Sequence, residues 1–167
     1  HRRKDGSLFP VEIRSTYIAF DGQVYNVAFV RDISEPKQAE RALREKEELF
    51  STVFALAPAP MTISDPDTGR FIDVNDQWLR ISGHTKEEAI GATAYELNLW
   101  DEPEVRVALK KKIKETGFIY DEPIRFRTKS GEFRDTLWSA VLVTQGGSRV
   151  MLSLTYDFTE RKRAEEG

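Results

Sequence analysis

The sequence contains no cysteine, and this absence removes several kinds of site at once. Disulfides, thiolate nucleophiles and cysteine-ligated metal sites all need that residue and are excluded. A chain without cysteine is also typical of a reducing compartment, so we expect a cytoplasmic location. Only two histidines are present, His1 and His84, so no metal site built on a histidine cluster is expected. His84 is interpreted as an exposed loop residue.

Long apolar runs and a strong excess of one charge are missing as well. No apolar run approaches the ~20 residues that span a bilayer, so we expect no membrane contact from this segment, although a larger parent protein can carry an anchor elsewhere. The formal net charge of −3 gives no electrostatic reason to expect nucleic acid. The sequence has no Walker A loop, GxSxG motif, phosphoacceptor histidine box or GGDEF-like segment. We therefore expect that this segment is not an enzyme.

The sequence does contain a long internal repeat. DISEPKQAE at residues 32–40 returns as DFTERKRAE at residues 157–165, and flanking glycines match at the same offset of 157 − 32 = 125 residues. This period is too long for a solenoid unit and suits a small domain with its linker. We therefore expect an internal piece of a modular protein, divided into the end of one domain (1–33), a linker helix (34–56), a complete copy of that domain (57–159) and the start of a second linker (160–167).

Residues 34–56 predict a helix that begins with Ser34 as N-cap and carries one apolar stripe. Positions 39, 42, 46, 49, 53 and 56 have the spacing of a heptad seam. They are apolar except for Lys46, which interrupts the seam. Either this helix packs on its own domain, or it forms a parallel coiled coil in a homodimer, which we favour. A later strand, TLWSAVLV, is apolar on both faces and predicts a second covered surface. Together they give a candidate dimer or docking face: Leu43, Phe50, Val53, Leu137, Val141 and Val143.

The rest of the chain predicts two strands, several helices and three strands, in that order. Strands are expected at 59–64, 70–74, 118–128, 132–144 and 147–157. Asn75 is expected to cap one helix, Thr85 and Glu88 to form a capping box for the next, and Gly117 to end a longer one. This order indicates an α+β fold with an antiparallel sheet and helices on one face. A further hairpin, at 8–18 and 23–31, is marginal in water by itself.

Four sequence blocks stand in order along the chain: RFIDVN ending at Asn75, ISGHTKEEAIG, RTKSGEF and YDFTERKRAEE. Together they resemble a PAS domain with its trailing PAC segment, from a bacterial multi-domain sensory protein such as a sensor histidine kinase. The first 33 residues resemble the closing strands of a preceding, truncated PAS domain. The resemblance implies a five-stranded antiparallel sheet that encloses a small core or a ligand cavity. It also implies a signalling helix that leaves the last strand towards a histidine kinase or cyclic-dinucleotide enzyme module.

The resemblance also implies a role for the junction between the last strand and this helix. In the family an aspartate and a hydroxyl residue couple the sensor to its output, which points to Asp157 with Thr159 and to Asp32 with Ser34. Because no flexible spacer follows the strand, a change in its twist would be passed to the helix that Thr159 caps. Capping alone is the alternative interpretation.

Cofactor classes can be narrowed but not assigned. Photoactive flavin and cinnamoyl PAS domains need a cysteine, and a haem PAS domain needs a histidine near the long helix, where residues 101–118 have none. Strand alternation predicts an apolar pocket lined by Met61, Trp78, Trp100, Leu109, Ile124, Phe126, Trp138, Ala140, Met151 and Ser153. The alternative is a packed core filled by Trp138. Gln77, Asn98 and Arg106 are polar side chains near the same helices.

These patterns favour a non-enzymatic sensory and relay module that forms a homodimer. Its expected partners are neighbouring PAS and output domains in the same chain and a small-molecule ligand of unknown identity. A ligand-free dimerisation or spacer module is the alternative, and the two differ in whether a pocket exists.

Overall fold

The computed structural model describes the backbone of residues 1–167 and the side chains of all of them except residues 103 and 145. It divides into two compact units, His1–Ser51 and Thr52–Gly167. The first unit contains strands β1 (Val11–Phe20) and β2 (Gln23–Asp32) and most of helix α1 (Ser34–Leu56). The unit boundary therefore lies within α1 and not at either end of the helix.

The second unit contains the last turn of α1 and all remaining elements. They are β3 (Met61–Ser64), β4 (Phe71–Val74), α2 (Asp76–Ser82), α3 (Lys86–Ala89), α4 (Pro103–Thr116), β5 (Phe118–Arg127), β6 (Phe133–Gln145), β7 (Ser148–Asp157) and α5 (Thr159–Glu166). The strands form one antiparallel sheet in the order β4-β3-β7-β6-β5. The predicted α+β class and five-stranded sheet are confirmed.

The internal repeat has a structural counterpart in two hairpins of identical register. β1 and β2 pair from Val11 with Asp32 to Phe20 with Gln23. β6 and β7 pair from Thr136 with Asp157 to Gln145 with Ser148, which is the same pairing shifted by 125 residues. Both turns need two residues with positive φ, which glycine adopts most readily, and Gly22 and Gly147 supply the second residue of each turn.

Local side-chain chemistry sets the ends of the short helices. Asn75 has extended backbone angles and its side chain accepts from the Trp78 N–H, as an N-cap does. Thr85 and Glu88 form the predicted capping box at α3. α4 ends at Gly117, where a φ of 82° lets its N–H reach the carbonyl of Ile113. The three capping predictions are confirmed.

The core lies between the sheet and helices α2 to α4. One buried cluster gathers Phe71, Val74, Trp78, Ala89, Leu99 and Phe126. A second gathers Leu109, Ile113, Ile119, Ile124 and Ala140, and Trp100 packs against both. Among the described residues, no helix is both long and apolar enough to cross a membrane.

Candidate functional site

The inner face of the sheet, together with α2 and α4, encloses a cavity of about 90 Å³. Eight of the ten predicted pocket residues line it: Trp78, Trp100, Leu109, Ile124, Phe126, Trp138, Met151 and Ser153. The rings of Trp100 and Trp138 meet edge to face with centroids 5.5 Å apart, a favourable aromatic geometry. Space remains beside Trp138, so this side chain narrows the cavity without filling it.

Two of the predicted pocket residues do not line the cavity, and each has a physical reason. Met61 pairs with Leu154, and strand alternation turns Thr62 and Ser64 to the cavity, so Met61 lies on the opposite face of β3. Ala140 does lie on the inner face, but the second core cluster buries it to 2% exposure. The prediction for Met61 was therefore wrong because it assigned the residue to the wrong face of β3. The prediction for Ala140 was wrong because core side chains cover this residue and separate it from the cavity.

Hydroxyl groups form a polar patch on the sheet side of the cavity. The hydroxyls of Thr62 and Ser153 are 2.6 Å apart and hydrogen-bonded, and Thr136 donates to the carbonyl of Ile124 at 2.7 Å. Ser64 is also buried and lines the cavity, but its hydroxyl has no hydrogen-bond partner among the described residues. Thr62 and Ser64 were not predicted as lining residues, because Met61, of the opposite parity on β3, was assigned to the pocket.

Basic side chains from α4 lie on the other side, next to the turn between β3 and β4. Lys110 donates to the carbonyl of Asp67 at 2.5 Å, and Lys114 forms a 2.9 Å ion pair with its carboxylate. Arg106 is half-buried and lines the cavity, close to Gly69. The sequence predicts three polar side chains near these helices but not where they point. Arg106 lies at the cavity, whereas Gln77 and Asn98 are not among its lining residues.

The exit from the sheet is a hydrogen-bonded junction and not a flexible spacer. Asp157 ends β7 and Thr159 begins α5, with Phe158 between them. Oδ1 of Asp157 accepts from the Thr159 N–H at 2.9 Å and from its hydroxyl at 2.5 Å, while that hydroxyl accepts from the Asp135 N–H of β6 at 2.8 Å. Thr159 is therefore the first residue of α5 and not its N-cap, which is Phe158. Asp157 accepts from the N–H of this first residue, and the Thr159 hydroxyl joins the helix to β6.

The first copy of this junction repeats half of the arrangement. Asp32 accepts from the hydroxyl of Ser34 and from its N–H at 2.9 Å. The hydroxyl first, then the N–H, with a smaller effect from Arg3, lower the pKa of the Asp32 carboxyl below its usual value. Ser34 is likewise the first residue of its helix and not an N-cap. Pro10 takes the place of Asp135 in the repeat, and proline has no N–H to donate to the hydroxyl.

The last turn of α1, which belongs to the second unit, is held there by Asn75. The side-chain amide of Asn75 donates to the carbonyls of Phe54 in α1 and Ala59, at 3.1 and 2.9 Å. Its carbonyl oxygen accepts from the N–H groups of Met61 and Trp78. One buried side chain therefore joins the end of α1, the start of β3 and the start of α2.

Comparison with known proteins identifies this architecture. The sequence model of the family described as PAS domain matches residues 1–35 and 58–160, and so leaves out all but the first two residues of α1. The chain belongs to the PAS domain family. The two matched segments agree with the repeat, since the first ends at the Asp32–Ser34 junction and the second at the Asp157–Thr159 junction.

One sequence relative and two solved structures illustrate what this PAS protein is similar to. The methyl sulfide methyltransferase-associated sensor of Methanosarcina acetivorans is 31% identical over 134 residues, covering 78% of this chain but only 13% of that sensor. Among solved structures, a PAS domain from a two-component sensor histidine kinase shares 18% identity at a TM-score of 0.57, covering 68% of this chain and 98% of that one. The Rhodobacter sphaeroides LOV protein shares 19% identity at a TM-score of 0.61, covering 74% and 72%. At these identities the structural neighbours show the fold alone.

The cavity of this PAS unit does not fit a large cofactor. Pockets for drug-sized molecules occupy roughly 300 Å³ or more, several times the 90 Å³ found here. The chain also has no cysteine that could bond to a flavin or a cinnamoyl group. The ligands that match this cavity are therefore molecules of a few non-hydrogen atoms.

The predicted docking residues lie on two exposed apolar surfaces. On α1, Leu43, Phe50 and Val53 are exposed. On the outer face of the PAS sheet, Leu137 and Val141 are half-buried and Val143 is exposed. Cross-strand pairs extend this face with Leu152, Leu154 and Tyr156 of β7 and with Met61 of β3.

His84 differs from the expectation of an exposed loop residue. Its side chain is only 8% exposed and its ring stacks on Trp78, with centroids 6.4 Å apart. Nδ1 lies 3.5 Å from the Glu88 carboxylate, which is close enough for an ion pair but does not form a hydrogen bond. His84 is therefore part of the packing around α2 and α3.

Proposed function

We propose that this chain is a non-enzymatic sensory and relay module of a cytoplasmic signal-transduction protein. A change in the PAS cavity would pass along β7 into α5, and from there to an output domain in the same parent chain. The names of the M. acetivorans sensor and of the histidine kinase PAS domain support a sensor histidine kinase as that parent. The chain spans 13% of the sensor, so the output activity of the parent protein is itself part of this proposal.

The observation that carries this proposal is the alignment of the cavity with the exit junction. Ser153, Thr155 and Asp157 alternate along β7, so all three lie on the same face of the strand. Ser153 and Thr155 line the cavity, and Asp157 holds the first residue of α5. Thr159 is 2% exposed and bonded to both β6 and β7, which supports a path from these strands to the helix start.

A cavity-filling substitution tests the relay. Ala94 lines the cavity away from the junction, and Ala94→Leu should change amide exchange at Phe158 and Lys162 by about fivefold or more, the lower end of ordinary coupling energies. Ala108→Leu, on the exposed side of α4, is the matched control and should leave these amides unchanged. The effect should disappear in the Thr159→Val background.

The opposite result would contradict the relay. If Ala94→Leu alters amides around the cavity but leaves those of α5 at their original rates, the junction is a static connection and the chain is a spacer.

Self-association is a second role, favoured by the exposed apolar surfaces. Leu137, Val141 and Val143 continue across the strand pairing to Tyr156, Leu152 and Val150, and a face of this kind is unusual on a monomer. We propose a homodimer formed through this face and the seam of α1.

Sedimentation velocity should show a dimer that Leu137→Lys converts to a monomer, while Lys111→Leu on exposed α4 leaves the dimer intact. A monomeric unsubstituted chain would contradict this role.

A further inference from the structure

Ser64 is a buried polar group whose hydrogen bonds are incomplete. It is 1% exposed, and its hydroxyl has no partner among the described residues, although the neighbouring hydroxyls of Thr62 and Ser153 bond to each other. Ser64 lies where the β3–β4 register shifts, so its position differs from that of regular strand pairing. Buried hydroxyls are normally hydrogen-bonded, so this one indicates a group that enters the cavity.

Arg106 is the second group at the cavity without a partner. It is half-buried, and it makes no hydrogen bond or ion pair with any described residue. Lysines on the same helix are paired: Lys112 with Glu122 at 3.1 Å, and Lys114 with Asp67 at 2.9 Å. A Cβ at position 69 would lie 2.9 Å from Nη2 of Arg106, so the guanidinium occupies the space that the absence of a side chain at Gly69 leaves.

The charge of the cavity wall is positive. Arg106 and Lys110 line it, and the described lining residues include no aspartate or glutamate. A partly desolvated cation favours an anionic partner, and the planar guanidinium matches a carboxylate with two parallel hydrogen bonds. Trp78, Trp138 and Leu109 give the remaining wall an apolar character.

The volume limits the size of that anion. An apolar cavity of about 150 Å³ holds benzene, with its six carbon atoms. In proportion, 90 Å³ accommodates about four non-hydrogen atoms, or five if the wall adjusts slightly. Acetate and propionate have this size, and they combine a carboxylate with a short apolar end.

We infer that the cavity binds a short-chain monocarboxylate, whose carboxylate contacts Arg106 and Ser64 and whose alkyl end lies against the tryptophans. This inference rests on the proposed sensory function and gives its input a chemical class. Because ligand affinity and the response of α5 are separate measurements, either idea can fail without the other.

The test is a titration followed by the indole N–H signals of the three tryptophans in ¹H–¹⁵N spectra. Sodium propionate, sodium acetate and the neutral isostere propionamide are compared at constant ionic strength. Propionate should give saturable shifts, with propionamide at least about tenfold weaker because it lacks the charge-assisted bonds. Arg106→Gln should weaken propionate binding by a similar factor, whereas Lys111→Gln on the same helix should not.

Two further variants separate binding from folding. Arg106→Lys keeps the charge and should keep part of the affinity. Ser64→Ala should weaken propionate binding without lowering the thermal unfolding temperature, because it removes a hydroxyl that has no partner in the protein. A purely structural role for Ser64 would lower the unfolding temperature and leave affinity unchanged.

Equal affinities for propionate and propionamide, or unchanged propionate binding in Arg106→Gln, would overturn the carboxylate inference and leave the relay to its own test. Shifts that sodium chloride reproduces would overturn it as well, since they report only a non-specific anion effect. The absence of binding by every probe would also overturn it.

Discussion

Glu88 shows how one exposed side chain can join three segments of the PAS unit. Its carboxylate accepts from the Nζ of Lys129 at 2.6 Å and from the Thr85 N–H at 3.0 Å. The Lys129 ammonium, followed by the Thr85 N–H, lowers the pKa of Glu88 to about 2. Because Lys129 lies in the turn between β5 and β6, the capping box also holds α3 to the sheet.

The lowered pKa predicts a pH-dependent contribution to stability. A carboxyl whose pKa is lower in the folded state stabilises above its unfolded pKa of about 4.3, and this is lost as pH falls towards 2. Glu88→Gln should therefore lower the free energy of unfolding at pH 7, and its difference from the unsubstituted chain should shrink between pH 5 and pH 2. Urea unfolding monitored by tryptophan fluorescence measures both.

Glu87→Gln is the matched control, one residue away on the same short helix and also exposed. Its effect should be small and should not depend on pH. A Glu88→Gln difference that stays constant from pH 7 to pH 2 would show that the shape of the side chain matters and its charge does not.

At the scale of elements, the side chain of Asn75 connects several helices and strands by hydrogen bonds. All of its side-chain bonds go to backbone groups, and these belong to α1, the segment before β3, β3 itself and α2. It is 2% exposed, so water cannot easily replace a lost bond. The last turn of α1 is thereby joined to the start of β3 and the start of α2 within the second unit.

Replacement of Asn75 should therefore destabilise the whole PAS unit. Asn75→Ala removes an N-cap and leaves buried backbone groups unpaired, for an expected loss of about 2–4 kcal/mol in chemical denaturation. Gln77→Ala, on the same helix, should change stability by less than about 0.5 kcal/mol. Asn75→Asp keeps the acceptor but loses both donors, so amide exchange should accelerate around residues 54–59. A loss below about 0.5 kcal/mol for Asn75→Ala would contradict this account.

The sequence predicts elements well where local chemistry decides them. The caps at Asn75, Thr85 and Gly117 follow from residue type and spacing, and the structure confirms them. Strand parity was harder for β3, since MTIS alternates apolar and polar residues and Met61 was assigned to the pocket. Met61 lies outwards because the outer face of this sheet is apolar too, and a four-residue strand cannot reveal that.

The candidate site could be predicted in composition but not in detail. Alternation along β5, β6 and β7 places most lining residues correctly. The volume beside Trp138, the unpaired hydroxyl of Ser64 and the direction of Arg106 depend on side-chain packing between distant segments. Thr159 accepts a hydrogen bond from the backbone N–H of Asp135, 24 positions away. Because every residue except proline has a backbone N–H, the residue type gives no indication of this contact.

For the whole molecule, the two hairpins show that identical pairing does not give identical burial. In the second unit the β6–β7 hairpin has neighbouring strands on both sides, and Thr155 is 8% exposed. In the first unit the described residues provide a sheet of two strands only, and Val30, at the equivalent position, is 53% exposed. The first hairpin therefore has the same backbone hydrogen bonds with far less apolar burial.

Two-stranded sheets are marginal in water, so the first hairpin should open much more easily than the second. Amides of β2 should exchange at least about 100-fold faster than their register equivalents in β7, which hydrogen exchange with mass spectrometry can measure. Deletion of residues 1–33 should leave the main thermal transition within about 2 °C, because the core clusters all lie in the second unit. Equal protection of the two hairpins, or a clear fall in the transition after deletion, would show that the two units unfold together.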